Sequence, residues 1–301
     1  MQLREKMLAD EEAPAADMIP LQQTGPQLPD KKSKVAIVVA ALICLAYALA
    51  MSLSKRCDSN VFILERDPTI SFPHVKEQVS VAALEGISIG LPALAIFLSS
   101  ALQKYKAHNS ALASLLNFYL YCGLGLAICL LATDAITNNV KILVLRPRPN
   151  FFAYCDYKGY GSAMNSGNYT LYNSVTTANA IGSVSACTAS AATVKDSVLS
   201  FPSGHSSLSF AAMTYIALLA RYTIAQRRPF FLLSFDGLVV IAPFYLSAWI
   251  AITRIQDFYH HCDDVMMGST IGICCSWAVF RCVSLLLSRH VCAEATRPAS
   301  K

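Results

Sequence analysis

Six long apolar runs, almost free of charge, constrain this chain more than any other feature. They lie near Val35–Leu53, Val79–Leu102, Ala111–Leu145, Phe201–Ala220, Phe230–Ile252 and Val265–Leu287. A bilayer core about 30 Å thick needs roughly 20 apolar residues per crossing helix. In hydrocarbon a helix satisfies its own backbone groups, whereas an open sheet edge leaves them unpaired. The expected fold class is therefore all-α: an integral membrane protein with six transmembrane helices in a bundle. Composition agrees, with 54% hydrophobic and 14% charged residues, against about 25% charged in soluble proteins. The third run is the least regular, because Asp134, Asn138, Asn139 and Lys141 crowd its far end.

The rest of the chain divides around these runs. Residues 1–34 are polar and mixed in charge and read as a disordered cytosolic tail, with no cleavable signal ahead of the first run. Residues 35–287 form the bundle domain, with a large outer loop at 146–200, and residues 288–301 form a second cytosolic tail. The net charge of +5 belongs to the flanks, so no nucleic-acid partner is expected.

Basic residues retained on the cytosolic side set orientation. Lys31, Lys32 and Lys34 precede the first run, and Lys104 and Lys106 follow the second. Arg221, Arg227 and Arg228 follow the fourth, and Arg289 and Arg297 the last. With six crossings all of these share one side, which makes both termini cytosolic; Lys55 and Arg56 run against the rule. The opposite side, extracellular or luminal, then holds Asn168-Tyr169-Thr170, a glycosylation sequon. It also holds four of the eleven cysteines, Cys57, Cys155, Cys187 and Cys262. There Cys155 and Cys187 are a candidate disulfide pair or free thiols, since connectivity is not readable from sequence.

Three polar clusters map to that same non-cytosolic face: Lys141–Pro149, Phe201–Ser207 and Thr253–Asp264. A lone arginine or lysine at such a boundary usually snorkels to head groups, and a lone loop histidine such as His261 is usually just exposed. A bundle that gathers the clusters would instead bring Lys141, Arg148, Ser203, His205, Arg254, His260 and Asp264 to one anion pocket. Pro-Ser-Gly-His, Pro202 to His205, can open a helix whose free N–H groups face an anion. Two arginines and a lysine would neutralise phosphate oxygens. His260 and Asp264 stand four apart on one expected helix face, so the carboxylate can orient the imidazole as a nucleophile. His205 can then protonate a leaving oxygen. Neither HExxH nor paired CxxC is present, so no metal site is expected.

These motifs resemble the three signatures of the type 2 phosphatidic acid phosphatase superfamily. Lys141 to Arg148-Pro149, Pro202–His205, and Arg254 with His260 and Asp264 match in order and in spacing. The six-run layout, and Asp67–Pro73 in the first outer loop, are similar to the lipid phosphate phosphatase (phospholipid phosphatase) branch. Thr253 stands where the family usually has Ser, and the loop from Arg148 to Ser203 is longer than usual. The resemblance implies dephosphorylation of lipid phosphates: phosphatidic acid, lysophosphatidic acid, diacylglycerol pyrophosphate or sphingoid phosphates. It implies a phosphohistidine on His260, His205 as general acid and base, Asp264 orienting His260, and phosphate held by Lys141, Arg148, Ser203, Gly204 and Arg254. It also implies no cofactor, magnesium included. Partners would be the lipid substrate and the bilayer of the plasma membrane or an endomembrane, and a homo-oligomer is compatible. The alternatives are a lipid head-group phosphotransferase and a catalytically silent scaffold of the same family.

Polar residues inside the runs invite two readings. Glu85 and Asp134 either pair with cations of the site or sit hydrogen-bonded within the bundle. Gly86 with Gly90, and Gly123 with Gly125, are expected to allow close helix contact.

Overall fold

The computed structural model describes residues 61–106, 112–226 and 235–295. The first expected span, Val35–Leu53, and the tail 1–34 lie outside them. Among the described residues the chain is all-helical, with only two isolated bridges, Leu64 to Ile181 and Tyr157 to Cys187. Five long helices cover the other expected spans: α1 (Val81–Lys106), α2 (Leu112–Val144), α7 (Gly204–Ala225), α8 (Phe235–Gln256) and α9 (Cys262–Ala295). All five are long and apolar enough to cross a membrane. The last helix continues past Leu287, so residues 288–295 of the expected tail are helical.

Helix α7 is the hub, packed against α1, α2, α8 and α9. Its face toward the neighbours is small and polar, with Ser203, Ser206, Ser207 and Ser209 fully buried. Thr137 of α2 donates to Ser207 Oγ at 2.9 Å, and Ser247 of α8 donates to the Ser209 carbonyl at 3.0 Å. Small side chains let membrane helices approach closely, and hydroxyls bond across the contact. The tightest approach is between α7 and α9. A Cβ on Gly268 would lie 2.4 Å from the Ser203 carbonyl oxygen, and one on Gly272 would lie 2.2 Å from that of Ser207.

Among the described residues the glycine reading is met at Gly125. Gly125 does fit against Val283 and the Tyr215 hydroxyl, but nothing among the described residues lies within 4 Å of a Cβ on Gly86, Gly90 or Gly123. Spacing alone does not say which side of an evenly apolar helix faces protein.

The loop 146–200 is a folded cap. It carries α3 (Phe151–Tyr154), α4 (Tyr160–Ser166), α5 (Thr170–Val175) and α6 (Ala191–Ser197). Phe151, Phe152, Tyr157, Tyr160 and Tyr172 form its core with Ile63 and Ile70 from the segment before α1. Cys155 is bonded to Cys187 within the cap. Glu65 is buried there and accepts from Lys158 Nζ at 2.6 Å, Tyr157 Oη at 2.9 Å and Thr177 N at 2.8 Å. Burial raises the Glu65 carboxyl, and these partners outweigh it and leave it lowered. Asn168 is exposed at the start of α5, with its Oδ1 accepting from Thr170 N.

The stretch Thr253–Asp264 is also more ordered than a connection between two long helices need be. Thr253 and Arg254 end α8, Asp263 and Asp264 begin α9, and only residues 257–261 turn between them. Phe258 makes that turn with φ 57°, a left-handed conformation rare for a bulky residue. Its ring stacks on Phe72 at 4.8 Å.

Candidate active site

Five chain segments meet at one end of the bundle: the strap before α1, the C-termini of α2 and α8, and the N-termini of α7 and α9. The capping serine is central. Ser203 Oγ accepts from Ser206 N at 3.4 Å as the N-cap of α7, while Ser203 N donates to the Asp264 carbonyl at 3.0 Å. One backbone bond thus joins the Pro-Ser-Gly-His motif to α9, and the open N–H groups of a helix start point outward. Gly204 follows, and a Cβ there would stand 3.5 Å from Lys141 Nζ. The bare glycine keeps the space beside that ammonium clear.

His260 is 3% exposed and lies in the turn, not on the helix. The expected shared helix face is therefore replaced by a tighter arrangement. His260 Nδ1 meets the Ser200 carbonyl at 2.6 Å, and Asp264 Oδ2 is farther away, at 3.9 Å. The carbonyl accepts, so Nδ1 carries the proton and Nε2 keeps its lone pair. Asp264 is fully buried and binds Ser200 Oγ, His261 N at 2.8 Å and Arg146 Nη1 at 2.7 Å. It holds the turn and Ser200, and through Ser200 the imidazole. Burial above all pushes His260 from its ordinary 6.5 down to about 3; Asp264 opposes this, while Arg148 and Lys141 add to it. The ring is neutral at physiological pH, as a nitrogen nucleophile must be.

Both arginines are buried and anchored. Arg148 donates from Nη2 to Asp196 Oδ1 at 2.7 Å and from Nε to the Asp196 carbonyl at 2.8 Å. Its guanidinium also stands 5.0 Å from the Tyr259 ring centre. Burial raises the Asp196 carboxyl, but the charges of Arg148 and Lys141 outweigh it and leave it lowered. Arg254, 1% exposed, donates to Asp257 Oδ2 at 2.9 Å and Glu77 Oε2 at 3.0 Å. Thr253 Oγ1 accepts from Arg254 Nε at 3.2 Å and Nη2 at 3.1 Å. The hydroxyl kept at position 253 therefore steadies the arginine beside it.

His205 Nε2 lies 3.0 Å from the Val79 carbonyl and 4.0 Å from Glu77 Oε2. Arg254, Lys141 and Arg148 are all near enough to act on it electrostatically. The eight residues read from the motifs thus surround one region. Two other expectations change. His261 is half-buried, its Nε2 3.4 Å from the Pro147 carbonyl. Glu85 is exposed among the described residues, and its charge acts on Asp134.

Sequence reasoning missed Arg146, Ser200, Asp196, Tyr259 and Glu77. Arg146 stands two residues before Arg148 and Ser200 three before Ser203, so adjacency to the motifs was a usable signal. Asp196 and Glu77 carry no motif.

The sequence profile of the PAP2 superfamily matches residues 120–287, more than half of the chain. The chain belongs to the PAP2 superfamily. It is 36% identical over 154 residues to Lipid phosphate phosphatase 1 of Arabidopsis thaliana, covering 50% of this chain and 40% of the relative. It is 29% identical over 233 residues to "Probable diacylglycerol pyrophosphate phosphatase 1" of Schizosaccharomyces pombe, covering 76% and 74%. Phospholipid phosphatase 2 of Bos taurus is 27% identical over 259 residues, covering 79% and 76%. The chain spans less than half the length of the plant relative. No solved structure matches.

Proposed function

We propose that this chain is a lipid phosphate phosphatase that hydrolyses monoesters of membrane lipids through a phosphohistidine. The observation that carries the reading is the buried His260, with Nδ1 on the Ser200 carbonyl, under the charges of Lys141 and Arg148, which together with Arg254 also act on His205. The names of the relatives support the lipid class. So does a site at the end of five apolar helices, where an acyl tail need not leave the bilayer.

In this mechanism His260 Nε2 attacks phosphorus, and the bond from phosphorus to the lipid oxygen breaks. His205, as imidazolium, gives its proton to the departing alkoxide and becomes the base for the second half-reaction. It then takes a proton from water, whose oxygen attacks the phosphohistidine and frees inorganic phosphate and His260. Lys141, Arg148 and Arg254, with Ser203 and the Gly204 N–H, hold the equatorial oxygens as charge shifts. No metal is needed in this scheme, because protein cations neutralise the phosphate. The reading includes a site opening to the extracellular or luminal side, with both termini cytosolic.

The test is a panel of phosphatidate, lysophosphatidate, diacylglycerol pyrophosphate, sphingoid phosphate and glucose 6-phosphate, assayed with excess chelator. Turnover of lipid esters that survives chelation and disappears in His260→Ala is expected. Equal turnover by His260→Ala, or preference for the sugar phosphate, would overturn the reading.

A further inference from the structure

Arg254 is almost fully buried, and a buried guanidinium left without an anion is costly. Two carboxylates serve it, and they differ in kind. Asp257 is 4% exposed and built in: its oxygens also accept from Gln78 N at 2.8 Å and Gln78 Nε2 at 2.7 Å. Glu77 is 30% exposed, and its Oε2 takes the other edge of Arg254, Nη1, at 3.0 Å. That same oxygen lies 4.0 Å from His205 Nε2.

Glu77 Oε2 therefore stands between the phosphate-holding arginine and the proton-donating histidine. Its backbone is fixed there by the clamps on Gln78 and by the Val79 carbonyl on His205. The groups facing it are Arg254 at the end of α8, His205 at the start of α7, and Asp257 and Tyr259 in the turn. A carboxylate oxygen and a phosphate oxygen accept from a guanidinium in the same way.

We propose that Glu77 is an internal competitor for the phosphate site. Its carboxylate neutralises Arg254 in the empty enzyme, substrate displaces it, and its return favours release of product phosphate. The proposal rests on the reading of the site as a phosphate pocket and adds a residue that sets its affinity. No bond is made or broken in the exchange; one anion replaces another on Arg254 Nη1. Asp257 and Thr253 keep the guanidinium in place meanwhile.

The experiment measures thermal unfolding of the detergent-solubilised chain, with His260→Ala in every version compared so that ligand is not consumed, against inorganic phosphate and, separately, against dihexanoyl phosphatidate. Glu77→Gln removes the charge and keeps the shape; Glu77→Asp keeps the charge and withdraws it by one methylene. Half-maximal stabilisation by either ligand should need on the order of fivefold less ligand in Glu77→Gln than with Glu77 in place, with Glu77→Asp between them. A brace with no competing role would lower the baseline melting temperature and leave half-saturation unchanged. Unchanged or weaker half-saturation, or no stabilisation by either ligand, would overturn the proposal. A shift with both ligands assigns Glu77 to the shared phosphoryl subsite; a shift with phosphate alone would overturn its displacement by substrate. The assay needs no turnover, so hydrolysis surviving in His260→Ala would sink the phosphatase reading while leaving the shift to be seen.

Discussion

Gly268→Ala should disable the site while leaving the fold largely intact. A Cβ there would lie 2.4 Å from the Ser203 carbonyl oxygen and 3.3 Å from Ser206 Cβ. Carbon and oxygen do not approach much below about 3.3 Å, so α9 must retreat from α7 by about 1 Å. The obstacle is backbone at the start of a helix and has no rotamer to change. Four residues earlier, the Asp264 carbonyl accepts from Ser203 N at 3.0 Å, so the retreat is felt at the junction between the Pro-Ser-Gly-His motif and the start of α9. Overpacking of this kind costs about 1–3 kcal/mol of stability. A misplacement of about 1 Å between reacting groups costs on the order of 100-fold in rate. The assay pairs thermal unfolding in detergent with kcat on phosphatidate in mixed micelles. Gly123→Ala, where nothing described lies within 4 Å, is the control and should stay near wild type. A folded Gly268→Ala protein within about twofold of the wild-type kcat would refute the reasoning, since rates follow such geometry steeply.

Arg146→Ala should lower kcat on phosphatidate by about tenfold or more with little change in KM, since Arg146 touches Asp264 and not the phosphate region; Arg146→Lys should recover part of it, and an equal loss in both would contradict the role. Acid should weaken the fold through His260, whose proton binding is depressed from 6.5 to about 3. Between those values the unfolded chain binds the proton and the folded one does not, so stability falls as pH drops, by up to about 1.4 kcal/mol per unit. Melting curves of His260→Asn should show a flatter decline across that window; an identical decline would contradict the assignment.

The long helices were legible because each is apolar through a bilayer's length, and the motif residues because their spacing is fixed by the helix ends they occupy. What the sequence hid was what opposes them. Arg148 and Arg254 looked like cations waiting for an anion, yet each is held by carboxylates from separate segments, Asp196 and Glu77. Low dielectric demands such partners, but nothing local marks them. Asp264 looked like a direct partner for His260, and the Ser200 carbonyl takes that place because the turn at Phe258 sets His260 ahead of α9. Gly268 and Gly272 were passed over in favour of Gly86 and Gly90, since all four lie in helices apolar on every side. The order within the loop 146–200 was hidden because its Ser- and Thr-rich stretch conceals the tyrosines and phenylalanines that fill its core.

Rapid acid-free quenching of the chain with 32P-labelled phosphatidate, followed by peptide mapping, tests the central claim most directly. A label on His260, stable in base, lost in acid and absent from His260→Ala, is the predicted result. Turnover without any trapped label, or a label that persists when His260 is replaced, would contradict it.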